Sequence, residues 1–221
     1  MYAQTRTNTA SAHSFVSSRP PVKKVYGSDR IGIVGFHDRG FVIAKPAEPH
    51  AAWLQQRSQT LHEKIGGCTN ITDGLRQSLE LIKKVPKGIL RRIWLLSDGH
   101  PNIETDSLNA IVDEARQAYC NINTIGFGNP NNYDENLLRN IASSTHNGKF
   151  VPVTTLRQLT DALIRSGDGR QRTRHHHRSE TTILAIDLSY SMRESMENTT
   201  KIAVVETAVM QLLLYKQRCF A

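Results

Sequence analysis

Short apolar runs alternate with helix-periodic stretches from about residue 30 to residue 165, and this alternation leaves few folds open. Ile31–Phe36 and Phe41–Ala44 read as strands, and the four residues His37 to Gly40 between them predict an antiparallel hairpin. Pro49 is placed to open a helix through Leu54, Leu61 and Ile65. A helix from about Asp73 carries Leu75, Leu79 and Ile82 on one face, and Pro86 stops it. Ile93–Leu96 is apolar throughout, as expected of a strand covered on both sides. Asp106 is expected to cap a helix through Leu108, Ile111, Val112 and Ala115. Strand Ile122–Ile125, a helix from Tyr133 to Ala142 and a strand over Lys149–Val153 follow. Pro152 assigns that last strand to an edge. Thr154 or Thr155 then caps a helix through Leu156, Leu159, Leu163 and Ile164.

A polar, basic stretch from Ser166 to Glu180 reads as a linker. Beyond it lie an apolar strand, Thr182–Ile186, the segment Asp187-Leu-Ser-Tyr-Ser191, and a helix from about Thr200 carrying Ile202, Val205, Val209, Leu212 and Leu213. The expected fold is α/β: a doubly wound, mostly parallel open sheet with one antiparallel edge strand. In such sheets ligands sit beyond the carboxyl ends of the strands.

The chain has 221 residues, 38 % of them hydrophobic, which suits a single packed domain. Residues 1–27 read as a disordered basic tail and residues 28–221 as the domain, with 166–180 as its internal linker. No run of 18 or more apolar residues predicts a membrane span, and the N-terminal stretch has no apolar block of signal-peptide length. Three cysteines, Cys68, Cys120 and Cys219, fit neither a zinc pattern nor a disulfide framework, so a reducing, cytoplasmic setting is expected. The formal net charge of +8 gathers partly in the tail and linker, which can hold nucleic acid but read more plainly as solvated segments. The run His175-His176-His177 in the linker takes the same reading.

Three segments fall at strand-to-helix turns: Asp187-Leu-Ser-Tyr-Ser191, Gly66-Gly-Cys-Thr-Asn70 and Ser97-Asp-Gly99. Each offers oxygen donors, which suit Mg2+, Mn2+ or Ca2+ rather than zinc or copper. In D-x-S-x-S alternate side chains of an extended turn point one way, so Asp187, Ser189 and Ser191 converge. Thr69 can add a hydroxyl, and Asp98 a second carboxylate, directly or through water. Two carboxylates and three hydroxyls leave a six-coordinate ion with an open position. Taken singly, each segment could be no more than a turn or helix cap.

Together the three segments resemble the metal-ion-dependent adhesion site of the von Willebrand factor A family. Asp187, Ser189 and Ser191 match its first motif, Thr69 its threonine and Asp98 its second aspartate. The resemblance covers about residues 28–165 and 181–218. It implies a Mg2+ ion, with Mn2+ or Ca2+ as alternatives, whose open position takes a Glu or Asp from a protein partner. It also implies an interaction module rather than an enzyme. The order of elements departs from the family, whose members begin with the D-x-S-x-S strand and its helix; here these come last. Circular permutation accounts for this, with the linker joining the old ends. Its fifteen residues reach about 50 Å when extended, against a domain radius of gyration of roughly 17 Å. A domain-swapped oligomer is the competing arrangement, a monomer the simpler one. Two other functions compete. A metal-assisted hydrolase would draw on His100 and Glu104, and a nucleic-acid-binding accessory protein on the tail and linker.

Overall fold

The computed structural model describes residues 29–101, 106–165 and 179–220. Strand β1 (Arg30–Phe36) and β2 (Gly40–Ala47) form the expected hairpin, followed by α1 (Ala52–Ser58) and α2 (Ile71–Lys83). Next come β3 (Leu90–Ser97), α3 (Leu108–Gln117), β4 (Cys120–Phe127) and α4 (Glu135–Ser143). The chain continues through β5 (Phe150–Val153), α5 (Leu156–Arg165) and β6 (Glu180–Asp187). A short ribbon of β7 (Ser195–Met196) and β8 (Thr199–Thr200) then leads into α6 (Lys201–Phe220).

Six strands make one sheet in the order β2-β1-β6-β3-β4-β5. Every pairing is parallel except β1 with β2, which form the antiparallel edge. The last strand in sequence thus fills the centre, between β1 and β3. Its composition suits that place: all eight residues of β6 are buried, with Ile183 to Ile186 inaccessible to solvent. Covering each of the larger apolar side chains contributes about 1.5–3 kcal/mol. Strand alternation then divides the core. Trp94, Leu96, Leu184 and Ile186 pack on the face covered by α1, α5 and α6. Ile93, Leu95, Ile183 and Ala185 pack on the opposite face, under α2, α3 and α4. Buried on both sides, β3 and β6 carry continuous apolar runs, as parallel strands require.

Several boundaries differ from the sequence expectation. The stretch from Pro49 is not one helix: α1 begins at Ala52, ends at Ser58, and a separate 3-10 turn spans Leu61–Lys64. The wide spacing of its apolar residues matches this break. Helix α2 starts at Ile71, because Asn70 caps it by accepting from the Asp73 amide at 2.9 Å. Asp106 does not cap α3; Ser107 holds that position, without a side-chain cap bond. Glu180 belongs to β6 and is buried, so it is no linker residue. The remainder of the linker to residue 178, the tail 1–27 and Glu104 lie outside the described residues.

Candidate functional site

The carboxyl ends of β1, β3 and β6 meet at one rim of the sheet, where backbone hydrogen bonds tie their loops together. The Leu188 amide donates to Phe36 O at 2.8 Å, which continues the β1–β6 ladder past the last strand residue. The Gly66 amide donates to Leu188 O at 2.9 Å and joins the Gly66–Asn70 loop to the same rim. The Asn70 amide reaches His37 O at 2.8 Å, and the Cys68 amide reaches Asp38 Oδ1 at 2.8 Å. Gly67 allows that last contact. Its φ is +61°, and a Cβ there would lie 2.2 Å from the Asp38 carboxylate. Thr69, between these anchors, is buried with its hydroxyl turned toward Gly99, 3.1 Å from where a Cβ on that glycine would stand.

The side chains of the predicted set come together along this rim. Asp187 is fully buried; its Oδ1 accepts from the Ser189 amide at 2.9 Å, and its Oδ2 accepts from the Ser97 hydroxyl at 2.8 Å. Ser189 is extended (φ −66°, ψ 167°), and a 3-10 turn over Tyr190–Arg193 follows. That geometry sets the Ser189 and Ser191 hydroxyls 2.9 Å apart. Ser191 donates to Asp98 Oδ1 at 2.8 Å, joining residues far apart in the chain. Gly99 keeps the space between Thr69 and Ser191 open, since its Cβ would stand 3.9 Å from Ser191 Oγ. Asp187, Ser189, Ser191, Thr69 and Asp98 therefore share one rim of the sheet.

Three residues beyond the predicted set belong to this arrangement. Ser97, within the Ser97-Asp-Gly motif, holds Asp187 rather than standing aside as a turn residue. Lys201 reaches down from the start of α6; its ammonium lies 2.7 Å from Asp98 Oδ2 and 2.7 Å from Glu194 Oε2. A lysine in the first turn of a helix opposes the helix dipole. That mismatch was the available signal that Lys201 pairs elsewhere.

Electrostatics follow from burial. Desolvation, and then the neighbouring charge of Asp98, push the Asp187 carboxyl up to about 7. Burial also raises Asp98, against the hydrogen bond and charge of Lys201. Burial disfavours the charged form of Lys201, but its hydrogen bonds to Asp98 and Glu194 prevail and raise its pKa. The rim thus holds two buried acids against one buried ammonium, and a neighbouring cation would favour the ionised form of Asp187. Its donors are hydroxyl and carboxylate oxygens, and no cluster of three or more His, Cys, Asp or Glu occurs among the described residues. Two acids and three hydroxyls, all hard oxygen donors, fit a divalent cation such as Mg2+. His100, raised as a hydrolytic base, is exposed beside Gly99.

Comparison with known proteins agrees with the fold. A family model described as the von Willebrand factor type A domain matches residues 8–164, a stretch that ends before β6. Among solved structures, a von Willebrand factor type A protein from Catenulispora acidiphila shares 17 % identity, with a TM-score of 0.48. That similarity covers 56 % of this chain and only 29 % of the Catenulispora protein. An uncharacterized membrane-spanning protein from Vibrio fischeri shares 22 % identity over 61 % of this chain and 72 % of its own, with a TM-score of 0.30. Among the described residues of the present chain, no helix is long and apolar enough to cross a membrane. A search of curated proteins finds no match. With its strand-and-helix alternation, its mostly parallel sheet and a family model matching most of its length, the chain belongs to the von Willebrand factor type A domain family.

Proposed function

We propose that this domain binds a protein partner through one divalent cation, Mg2+ in the first instance, held by Asp187, Ser189, Ser191 and Thr69, with Asp98 in contact directly or through water. Family membership supports an interaction module in general terms. The specific reading is carried by the 2.8 Å bond between the Ser191 hydroxyl and Asp98, which joins the D-x-S-x-S turn to the Ser97-Asp-Gly turn. A cation held mostly by neutral hydroxyls would supply an electrophilic open position for a Glu or Asp carboxylate. The chain's own residues do the rest. Ser97 and the Ser189 amide fix the orientation of Asp187, and Gly99 leaves the approach clear. Mn2+ and Ca2+ satisfy the same donors, Ca2+ with longer bonds.

We further infer that the chain is a circular permutant acting in the reducing cytoplasm. The central place of β6, reached only after α5, favours permutation. A free, exposed Cys68 favours a reducing setting.

Capture of a partner by the immobilised domain tests the reading. Binding is expected in millimolar Mg2+, lost in excess chelator, and weakened at least tenfold by Ser189→Ala with the fold retained. Binding that survives chelator and falls steeply with salt would instead favour nucleic acid on the basic segments.

A further inference from the structure

Lys201 is bound more tightly into the rim than helix α6 requires. Its side chain is 4 % exposed, and that of its partner Asp98 is fully covered. Separate parts of the chain build its seat. The Lys201 amide donates to Glu194 O at 3.0 Å, which closes the small ribbon of β7 and β8 and aims the side chain inward. The turn of that ribbon is held by Glu197, at φ +54°, whose carboxylate accepts from the Leu156 amide. Over the lysine stem passes Gly128, at φ +99°, where a Cβ would stand 3.2 Å from Lys201 Cε. At the far end, the ammonium divides its hydrogen bonds between buried Asp98 and exposed Glu194.

This placement works against the helix, since a positive charge at its first turn faces the positive end of the dipole. It serves the carboxylates instead. Asp98 is joined to the turn that carries Asp187 through the Ser191 and Ser189 hydroxyls, while the Asp187 carboxylate accepts from the neutral Ser189 amide and Ser97 hydroxyl. The lysine offsets one of the two negative charges through Asp98 Oδ2, while Asp98 Oδ1 remains bonded to Ser191. The cost is borne by any bound cation, which meets an ammonium across Asp98.

We propose that Lys201 is a built-in counter-cation: it neutralises Asp98, holds that carboxylate as a partner shared with the bound ion, and keeps the two buried acids compatible with the folded domain before the ion arrives. The inference rests on the cation reading of the rim. Lys201 is a positioning residue in it and touches no partner. The arrangement trades cation affinity for a site that forms ahead of the ion and leaves the ion more positive toward an incoming carboxylate.

The full chain, its Lys201→Met variant and its Lys201→Arg variant are titrated with Mn2+ alone, and each is melted in chelator and in Mg2+. Lys201→Met is expected to bind Mn2+ about tenfold more tightly, to melt lower than wild type in chelator, and to regain most of that loss in Mg2+. Lys201→Arg, which keeps the charge, is expected to stay near wild type in both measurements. Equal Mn2+ affinity in wild type and Lys201→Met, or weaker binding in the variant, overturns the proposal. So does a Lys201→Met protein that is unfolded with and without Mg2+, because the lysine would then be a structural strut that the ion cannot replace. Absence of Mn2+ binding in wild type and all variants is the separate result that overturns the cation reading itself.

Discussion

Gly126 on β4 lies against the ring of buried Tyr133, and a Cβ at that position would come within 2.2 Å of the ring. Gly126→Ala forces the ring or the strand to move in a close-packed interior, and a loss of about 1–3 kcal/mol is expected in urea unfolding. β4 pairs along β3, whose carboxyl end leads into Asp98, so the variant tests how stiffly the rim is backed. At this scale the sequence was readable where three polar motifs each stood at a strand end of the same sheet edge. Asp187, Ser189, Ser191, Thr69 and Asp98 reach the same rim because β1, β6 and β3 are neighbours in the sheet and end together. Lys201 showed only as a charge misplaced at a helix start, and neither its partner nor Glu194 was readable. Their pairing with Asp98 depends on a ribbon of two-residue strands whose sequence, Ser195 to Thr200, has no periodicity to detect.

Among the elements, β6 and α6 determine whether the sheet closes. β6 pairs with β1 along seven residues and with β3 along seven, so both flanking strands depend on it. Removing residues 179–221 exposes the ladders of β1 and β3 and the apolar faces that α6 covers, and the shortened chain is expected to aggregate. Moving residues 179–218 in front of residue 29 through a short flexible linker, with the chain ending at 165, is expected to restore a soluble domain with the same circular dichroism spectrum. Failure of this rearranged chain to fold would count against permutation. Strands and helices with strong apolar patterns, such as β3 and β6, were legible because burial on both faces demands continuous apolar runs. Element ends were less so. Helix α2 begins at Ile71 rather than near Asp73, since Asn70 caps it, and the Asp73 carboxylate accepts from the Gly40 amide at 2.6 Å. The Pro49 helix failed for a different reason: three apolar residues spread over two turns and a break do not hold one continuous face.

For the molecule as a whole, the sheet closes within a single chain, with α1, α5 and α6 on one face and α2, α3 and α4 on the other. β6 fills the central slot from within the chain, so light scattering at micromolar concentration is expected to give the monomer mass, and a dimer mass would favour a domain swap. The cation site we propose at the rim would be assembled only when the last segment of the chain reaches the loops after β1 and β3. Titration of the metal-free protein with Mg2+ and Mn2+ in a calorimeter, alongside Asp187→Asn, tests this assembly most directly. One ion per chain in the wild type, with binding abolished in the folded Asp187→Asn protein, is the predicted result; an unchanged isotherm in that variant would contradict the account.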